Sequence, residues 1–348
     1  MTFLRPLSSA RPLPGLRYLR RALLGSALLV SPALYAQEEI QSSATVEAEK
    51  DAFIEQVATE QNIPVSEVRQ LLQGAQRNDD VLAAIQRPWE ARPWHQYHGI
   101  FLTERRVNSG VDFWRTHQET LDRAYAEYGV PPQIIVAIIG VETFYGEYLG
   151  NYSVLDALYS LGFYYPPRSR FFRSELAEFI RLARAEGLDI NSLQGSYAGA
   201  MGYGQFISSS YRAYAVDFDG DGVRDLLNNP TDAIGSVANY FARHNWQRGQ
   251  PVVVPAWTDR VTDMTDLTSG PRQTLTHDVT ALREAGVDFV TQMPGDTPAR
   301  LFQFEEEQGH SYWVGLPNFY TITRYNHSPL YAMAVFLLSE EIRHAYER

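Results

Sequence analysis

The sequence predicts a mainly α-helical protein of the α+β class, with a small strand-rich insertion near its C-terminal end. Three observations carry this. Residues 51 to about 245 read as successive helical stretches punctuated by Gly, Pro and Asn. Within them, Pro131 to Thr143 is an almost unbroken apolar run, the mark of a helix in the core. From Gln250 the texture changes to short β-branched and aromatic runs between turn residues. With 348 residues the chain is long enough for two or three domains and a sizeable core, and 45% hydrophobic residues suit a soluble globular protein.

In chain order, residues 1–36 have the pattern of a cleavable signal peptide. Arg5, Arg11, Arg17, Arg20 and Arg21 form a basic region, Ala22 to Val30 an apolar one, and Ala33-Leu34-Tyr35-Ala36 a small-x-small cleavage site. The apolar run is too short to span a bilayer, and a retained N-terminal anchor is the competing reading. Residues 37–50 are polar and read as a tether. Residues 51–128 read as an N-terminal helical subdomain. In it, Phe53, Ile54, Val57 and Ala58 mark one apolar face, Asn62-Ile63-Pro64 breaks that helix, and Ser66 is expected to cap the next. Pro88 and Pro93 punctuate an aromatic stretch with Trp89, Trp94, Tyr97 and Phe101. A helix is expected from the Asn108-Ser109-Gly110 turn to Tyr128, stopped by Gly129, and Pro131-Pro132 open the next one.

Residues 129–249 read as a helical core carrying one glycine-rich and one acidic loop. Residues 250–318 form the strand-rich part: Val252 to Val254, Trp257, Val261, Thr262, Phe289-Val290 and Phe302 to Phe304 are strand candidates. Asp259, Asp263, Ser269-Gly270-Pro271 and Pro294-Gly295 supply turns. Residues 319–348 return to the core through a helix from Tyr331 to Tyr346, with Met333, Val335, Phe336 and Leu338 on its apolar face.

Charge and composition exclude several functions. The formal charge is −11. Without the five arginines of the leader, which has no acidic residue, 25 basic residues stand against 41 acidic ones, about −16. Nucleic acid needs a basic footprint, so it is disfavoured as a partner, as is simple adhesion to anionic lipid. There is no cysteine, hence no disulfide framework, thiol nucleophile, thiolate metal site or cysteine lipidation. The eight histidines form no H-E-x-x-H, and no G-x-S-x-G is present.

Three segments carry chemistry. The first is Glu142, at the end of the apolar run. Partial desolvation there disfavours its charged form and raises its pKa. A carboxylic acid that keeps its proton near neutrality is what protonation of a glycosidic oxygen requires. A Glu that only brackets the next turn fits the same local pattern. The rings and glycines of Phe144 to Tyr152 suit stacking on pyranose faces, and also a helix end with core aromatics. The second is Gly195 to Phe206, with four glycines in ten residues. It lacks the Walker ending, and its tight turns bring Ser196 and Gln205, neutral hydrogen-bonding groups, within reach of sugar hydroxyls or an acetamido group. A helix crossing that needs small residues is the alternative. The third, Asp217-Phe218-Asp219-Gly220-Asp221-Gly222-Val223, matches the first part of a calcium loop. Asp217, Asp219 and Asp221 would converge on one cation, and Val223 would offer its carbonyl. The twelfth position is Asn228 and not the usual Glu, so the last ligand is Asp232 or Asp225; a solvated acidic turn is the bland reading.

Taken together, Val141-Glu142-Thr143, Gly195 to Phe206, Ala215 to Phe218, Asp232 to Phe241, Asn318-Phe319-Tyr320 and Tyr325 to Ser328 resemble the lytic murein transglycosylase B family. The likeness covers roughly residues 50–348. It implies a lysozyme-like helical catalytic core and cleavage of the β-1,4 bond between N-acetylmuramic acid and N-acetylglucosamine. By position it implies Glu142 as acid/base, and Ser196, Gln205, Tyr240, Tyr325, Asn326 and Tyr331 along the groove. Arg168 matches one of two arginines associated with the glycan or its peptide; the other position is Pro167 here. The resemblance further implies an EF-hand-like structural Ca²⁺ site with Asp217, Asp219, Asp221, Val223 and Asp232, and no organic cofactor. The implied partner is the peptidoglycan glycan strand, with other cell-wall enzymes as further candidates. Some relatives are lipoproteins; without cysteine, this chain is expected to be a soluble periplasmic enzyme.

No second carboxylate in these motifs has an evident catalytic place, whereas two-carboxylate glycosidases hold theirs about 5–5.5 Å or about 6.5–9.5 Å apart. The expected route is intramolecular: Glu142 protonates the leaving oxygen, the acetamido group supports the cationic centre, and Glu142 then deprotonates the muramyl C6 hydroxyl. The product is 1,6-anhydromuramic acid, and exclusion of water favours this route. A hydrolytic muramidase and a non-catalytic glycan-binding protein are the competing readings.

Overall fold

The computed structural model describes residues 32–86, 92–261, 263–270 and 273–348, with side chains from Thr45 onward. Most of the signal-peptide region, Pro88, Trp89, Thr262 and Pro271 lie outside the described residues. The chain divides into a stretch up to Thr45 and a compact body, Val46–Arg348; the body is described below.

Helix α1 (Pro32–Gln61) runs through residues 37–50, which are therefore helical and not the expected polar tether. From Val46 onward they pack: Val46 lies against the core, Glu49 pairs with Arg173 at 2.6 Å, and Lys50 stands 5.4 Å from the Tyr159 ring. Phe53, Ile54, Val57 and Ala58 are all buried. Asn62, in left-handed backbone (φ 52°), ends α1. Helix α2 (Val65–Leu72) starts directly on Pro64, so Ser66 falls inside its first turn and caps nothing. Helix α3 (Asp79–Ala84) is capped by Asn78, whose side chain accepts from the N–H groups of Asp80 and Val81. After the short α4 (Trp94–Tyr97) come α5 (Glu104–Thr116) and α6 (Gln118–Tyr128). The Asn108 to Gly110 segment lies inside α5, and the break comes at His117 instead. Gly129 ends α6 at φ 75°.

Helix α7 (Pro132–Thr143) is the centre of the molecule: Ile134 to Ile139 are 0–3% exposed. Each such aliphatic side chain contributes roughly 1.5–3 kcal/mol on burial. Helix α8 (Val154–Tyr164) packs on α9 (Ser169–Glu186). Then come α10 (Ser208–Tyr214) and α11 (Pro230–Arg243), which packs on α6. A two-residue ladder pairs β1 (Tyr152–Ser153) with β2 (Gln194–Gly195).

The strand-rich part is a five-stranded antiparallel sheet in the order β4-β6-β7-β3-β5. Its strands are β3 (Val253–Trp257), β4 (His277–Asp278), β5 (Asp288–Phe289), β6 (Pro298–Glu305) and β7 (His310–Gly315). The short helices α12 (Thr265–Thr268) and α13 (Val279–Glu284) accompany it. One face closes a separate small core with Leu282, Leu301 and Val314, while Phe302 and Phe304 on the other face join the main one. Val261 lies outside the strands. Asn318, buried in α14 (Pro317–Tyr325), fixes the entry to this part: it accepts from Gln247 N at 2.7 Å and donates to the carbonyls of Gln247 and Gln250, both at 2.9 Å. Helix α15 (Pro329–Tyr346) then returns to pack on α7 and α5 through Met333, Val335 and Leu338.

Candidate active site

Glu142 occupies the last turn of α7 and is half-buried. Beyond it the chain turns through two consecutive left-handed residues, Phe144 (φ 51°) and Tyr145 (φ 62°), whose N–H groups bond back to the carbonyls of Gly140 and Ile139. For residues with a Cβ this conformation costs about 1–2 kcal/mol each. Packing holds it. The Phe144 ring lies 4.6 Å from the Arg105 guanidinium and 4.9 Å from that of Arg106, and the Tyr145 hydroxyl donates to Arg106 O at 2.8 Å. A Cβ on Gly140 would come within 2.6 Å of the Tyr145 ring, so only glycine admits that ring beneath the helix end. Thr143 Oγ1, 3.0 Å from Tyr203 O, ties the same turn to the glycine-rich loop.

From the opposite end of the chain, buried Tyr331 on α15 donates its hydroxyl to Glu142 Oε1 at 2.5 Å. Burial and the neighbouring Glu142 charge hold the Tyr331 phenol well above its ordinary range, and the same two causes act on Tyr325. Both therefore stay protonated donors.

A groove of about 420 Å³ is lined by Arg168, Gln205, Tyr240, Tyr325 and Asn326, five of the residues expected along it. Glu142 is not on that lining; Tyr325, which lines the groove and feels the Glu142 charge, connects the two. The Tyr325 hydroxyl donates to Gly204 O and that of Tyr240 to Arg324 O, each at 2.5 Å. Gln205, itself left-handed (φ 47°), is held through Nε2 by Leu149 O at 3.1 Å and Gly202 O at 3.0 Å. Asn326 Oδ1 accepts from Ser328 N at the start of α15, and Arg168 is exposed with its guanidinium 4.4 Å from the Phe171 ring. Ser196 is set apart from this wall: its Oγ accepts from Ala198 N and Ala200 N and braces the loop. That loop is a series of tight turns and not a helix crossing; a Cβ on Gly202 (φ 70°) would meet Leu226 O at 2.1 Å. Phe171, Ile207, Ser210, Arg324 and His327 also line the groove and were not singled out from sequence. Only His327, inside the Tyr325 to Ser328 motif, had a signal there.

In the acidic loop the carboxylates of Asp217, Asp219 and Asp221 lie within 4.8 Å of one another. Asp217 accepts from the N–H groups of Gly220, Asp221 and Gly222, and these bonds, that of Gly222 foremost, hold its pKa down. Three carboxyl groups on one turn, with Gly220 and Gly222 at positive φ, fit a hard divalent cation. Asp232 does not join them. It is fully buried in the first turn of α11 and accepts from Phe218 N at 2.7 Å and Asp225 N at 2.8 Å, fastening both ends of the loop. Burial pushes its pKa up. Asp225 likewise turns to Leu227 N and Asn228 N.

A groove walled by rings, two amides and two arginines, with a carboxyl beside it on a buried helix end, is the site of an enzyme that works on a glycan chain. A family model described as the transglycosylase SLT domain matches residues 45–340. Over 300 residues the chain is 42% identical to the membrane-bound lytic murein transglycosylase B of Escherichia coli (strain K12), covering 83% of this chain and 81% of that protein. The solved catenated lytic transglycosylase SltB1 from Pseudomonas aeruginosa matches with a TM-score of 0.80 and 47% identity, over 85% of this chain and 97% of that one. The lytic transglycosylase Slt35 of Escherichia coli, solved in complex with calcium, matches with a TM-score of 0.75 and 41% identity, over 85% and 93%. The chain belongs to the SLT family of lytic transglycosylases, with a mainly helical, lysozyme-like fold and an enzymatic activity on peptidoglycan. The family, fold class and enzyme class expected from the sequence all hold.

Proposed function

We propose that this enzyme cleaves the β-1,4 bond between N-acetylmuramic acid and N-acetylglucosamine and closes 1,6-anhydromuramic acid, with Glu142 as the one catalytic carboxyl. The observation that carries this reading is the half-buried Glu142 at the end of α7, held by the Tyr331 hydroxyl at 2.5 Å, beside a groove with no acidic residue on its described lining. A mechanism needing a second carboxylate has no candidate on that wall. Protonated Glu142 donates to the glycosidic oxygen as the C1–O bond breaks, and the 2-acetamido group of the muramyl residue supports the cationic C1. Glu142, now a carboxylate, takes the proton of the C6 hydroxyl as that oxygen bonds to C1. The proton balance closes and no water is consumed. Tyr331 orients the carboxyl throughout, and Gln205, Tyr240, Tyr325 and Asn326, with Ser196 bracing the loop, hold the sugars. Arg168 contacts the glycan or its peptide.

Calcium would be held by Asp217, Asp219 and Asp221 with the carbonyl of Val223, and would fix the loop that precedes α11. The enzyme is proposed to act in the periplasm after export. The Escherichia coli relative is named as membrane-bound, and this chain has no cysteine to carry a lipid.

Mass spectrometry of purified peptidoglycan digested with the protein tests the chemistry. Anhydromuropeptides, one water lighter than hydrolytic products and without a reducible end, are expected. Reducible muramic ends would make the enzyme a muramidase and overturn the one-carboxyl mechanism.

A further inference from the structure

A short run of fixed contacts joins the acidic loop to the turn that follows Glu142, and it passes through Tyr203. Just past the three carboxylates, one side chain pins the backbone: the Tyr211 hydroxyl donates to Arg224 O at 2.5 Å and accepts from Leu226 N at 3.1 Å. Leu226 O then accepts from Tyr203 N at 3.0 Å, an approach that Gly202 permits. On its other side Tyr203 O accepts from Thr143 Oγ1 at 3.0 Å. The Tyr203 ring covers Gly146, where a Cβ would fall 2.2 Å from its Cε1.

Thr143 is buried and directly follows Glu142. Its hydroxyl carries one hydrogen and has two acceptors: Tyr203 O, and Ile139 O four residues back on α7 at 3.1 Å. The same oxygen accepts from Gly146 N at 3.0 Å. The side chain thus stands where α7, the turn after Glu142 and the glycine-rich loop meet.

Resting on the peptidoglycan and calcium readings above, we propose that Thr143 and Tyr203 are positioning residues for Glu142, and that a divalent cation on the acidic loop reaches the reaction through them. With the loop ordered, Tyr203 is held against Leu226, and the Thr143 hydrogen ties the catalytic turn to the glycine-rich loop. With the loop loosened, that hydrogen reverts to Ile139 O, the ordinary back-bond of a helical threonine, and α7 alone holds the turn. Loop order therefore biases an element with two discrete arrangements, which is what coupling between sites requires. The cation acts on the placement of Glu142 as well as on stability. Gln205 keeps its own bonds to Leu149 O and Gly202 O, so deleting the Thr143 hydroxyl is read in kcat and not in KM.

Hydrogen exchange, followed by mass spectrometry on peptides spanning 143–149 and 217–226, tests this with and without calcium. In wild type, calcium is expected to slow exchange in both segments by about fivefold or more. Thr143→Val keeps the shape and deletes the hydroxyl, and should show the slowing in 217–226 alone. On peptidoglycan strands, at a temperature where all forms are folded, wild-type kcat should rise about three- to tenfold with calcium, the scale of one hydrogen bond. Thr143→Val should keep the calcium-free kcat in either condition, with KM within about twofold of wild type, and Thr143→Ser should restore the response. Slowing confined to 217–226 in wild type, or a Thr143→Val kcat that still follows calcium, would overturn the coupling. No slowing in 217–226 overturns the cation reading and the coupling with it. Strands left uncleaved overturn the proposed function alone, and the exchange in wild type then decides the coupling by itself, as it does if Thr143→Val fails to fold.

Discussion

Glu142 and the Asp217–Asp221 loop are both carboxylate sites, and they are positioned by different forces. Glu142 stands on a helix buried from Ile134 to Gly140, and its surroundings are fixed by rings: Phe144 against two guanidinium groups, Tyr145 under Gly140, Tyr331 from α15. The loop has little apolar burial of its own. Its carboxylates are exposed or half-exposed and are placed by backbone N–H groups that donate to them. Donors aimed at a carboxylate favour its ionised form, which suits a cation site. Glu142 meets the phenol of Tyr331 instead, a group that can donate to a carboxylate or accept from a carboxyl O–H, so Glu142 is left free to change charge as the proposed mechanism requires.

The largest expected effect comes from removing that freedom. Glu142→Gln should lower the rate of anhydromuropeptide release about 1,000-fold or more, since one group is proposed as both acid and base, with the melting temperature nearly unchanged. Retained turnover would break the comparison at its root. Tyr331→Phe deletes the O–H that positions the carboxyl and should cost about 10- to 100-fold in kcat. Because burial and the Glu142 charge hold the Tyr331 phenol well above 10, it remains a donor across neutral and mildly alkaline pH. The deficit should therefore be the same at pH 6 and pH 9. A deficit that closes at pH 9 would mean that the phenol of the wild type had ionised.

On the loop side, a chelator should lower the melting temperature of the cation-loaded protein by about 5 °C, and Asp217→Ala should melt at the lower temperature with or without chelator. Identical melting of wild type in both conditions would remove the cation. Gly140→Ala probes the packing side. The new Cβ meets the Tyr145 ring, so a loss of about 1–3 kcal/mol is expected in denaturant titrations, with kcat reduced as the turn after Glu142 shifts.

The smallest effect concerns Glu175, buried on α9 and accepting from Ser209 N at 2.9 Å and Ser209 Oγ at 2.7 Å. Burial raises its pKa despite those donors. A carboxyl whose folded pKa exceeds the unfolded one contributes fully below the unfolded value and loses that contribution as pH rises through the folded one. The melting temperature of wild type relative to Glu175→Gln should thus fall, by about 1–2 °C, between pH 4 and pH 7. A difference independent of pH would show that the carboxyl is not perturbed.

The site residues legible in the sequence were those whose neighbours in sequence are also their neighbours in space. Glu142 stood out because its own helix desolvates it, and Gly195 to Phe206 because the turns that shape it are local. The Tyr331 contact spans 189 positions and reached the sequence reading only through resemblance. Asp232 shows the same limit: seven to fourteen residues along, it could serve a cation or the loop backbone, and in the structure it accepts from the N–H groups of Phe218 and Asp225. The tether fails on the same ground. Residues 37–50 are polar, and what keeps 46–50 on the body is an ion pair and a ring on α8 and α9, far along the chain. The Asn108 to Gly110 segment read as a turn because Asn, Ser and Gly disfavour helix interiors. Burial of Gly110, Val111, Phe113 and Trp114 overrides that preference.

Phe144 and Tyr145 pose a problem for anyone who would breed a hardier version of this enzyme. Both sit in backbone that glycine adopts without strain. Glycine at either position would relieve about 1–2 kcal/mol of backbone strain, but it would loosen the unfolded chain and strip out the ring packed on two guanidinium groups or the phenol bonded to Arg106 O. Strain and packing come as one unit here, so a screen that scores survival after heating would keep both rings and find its gains elsewhere.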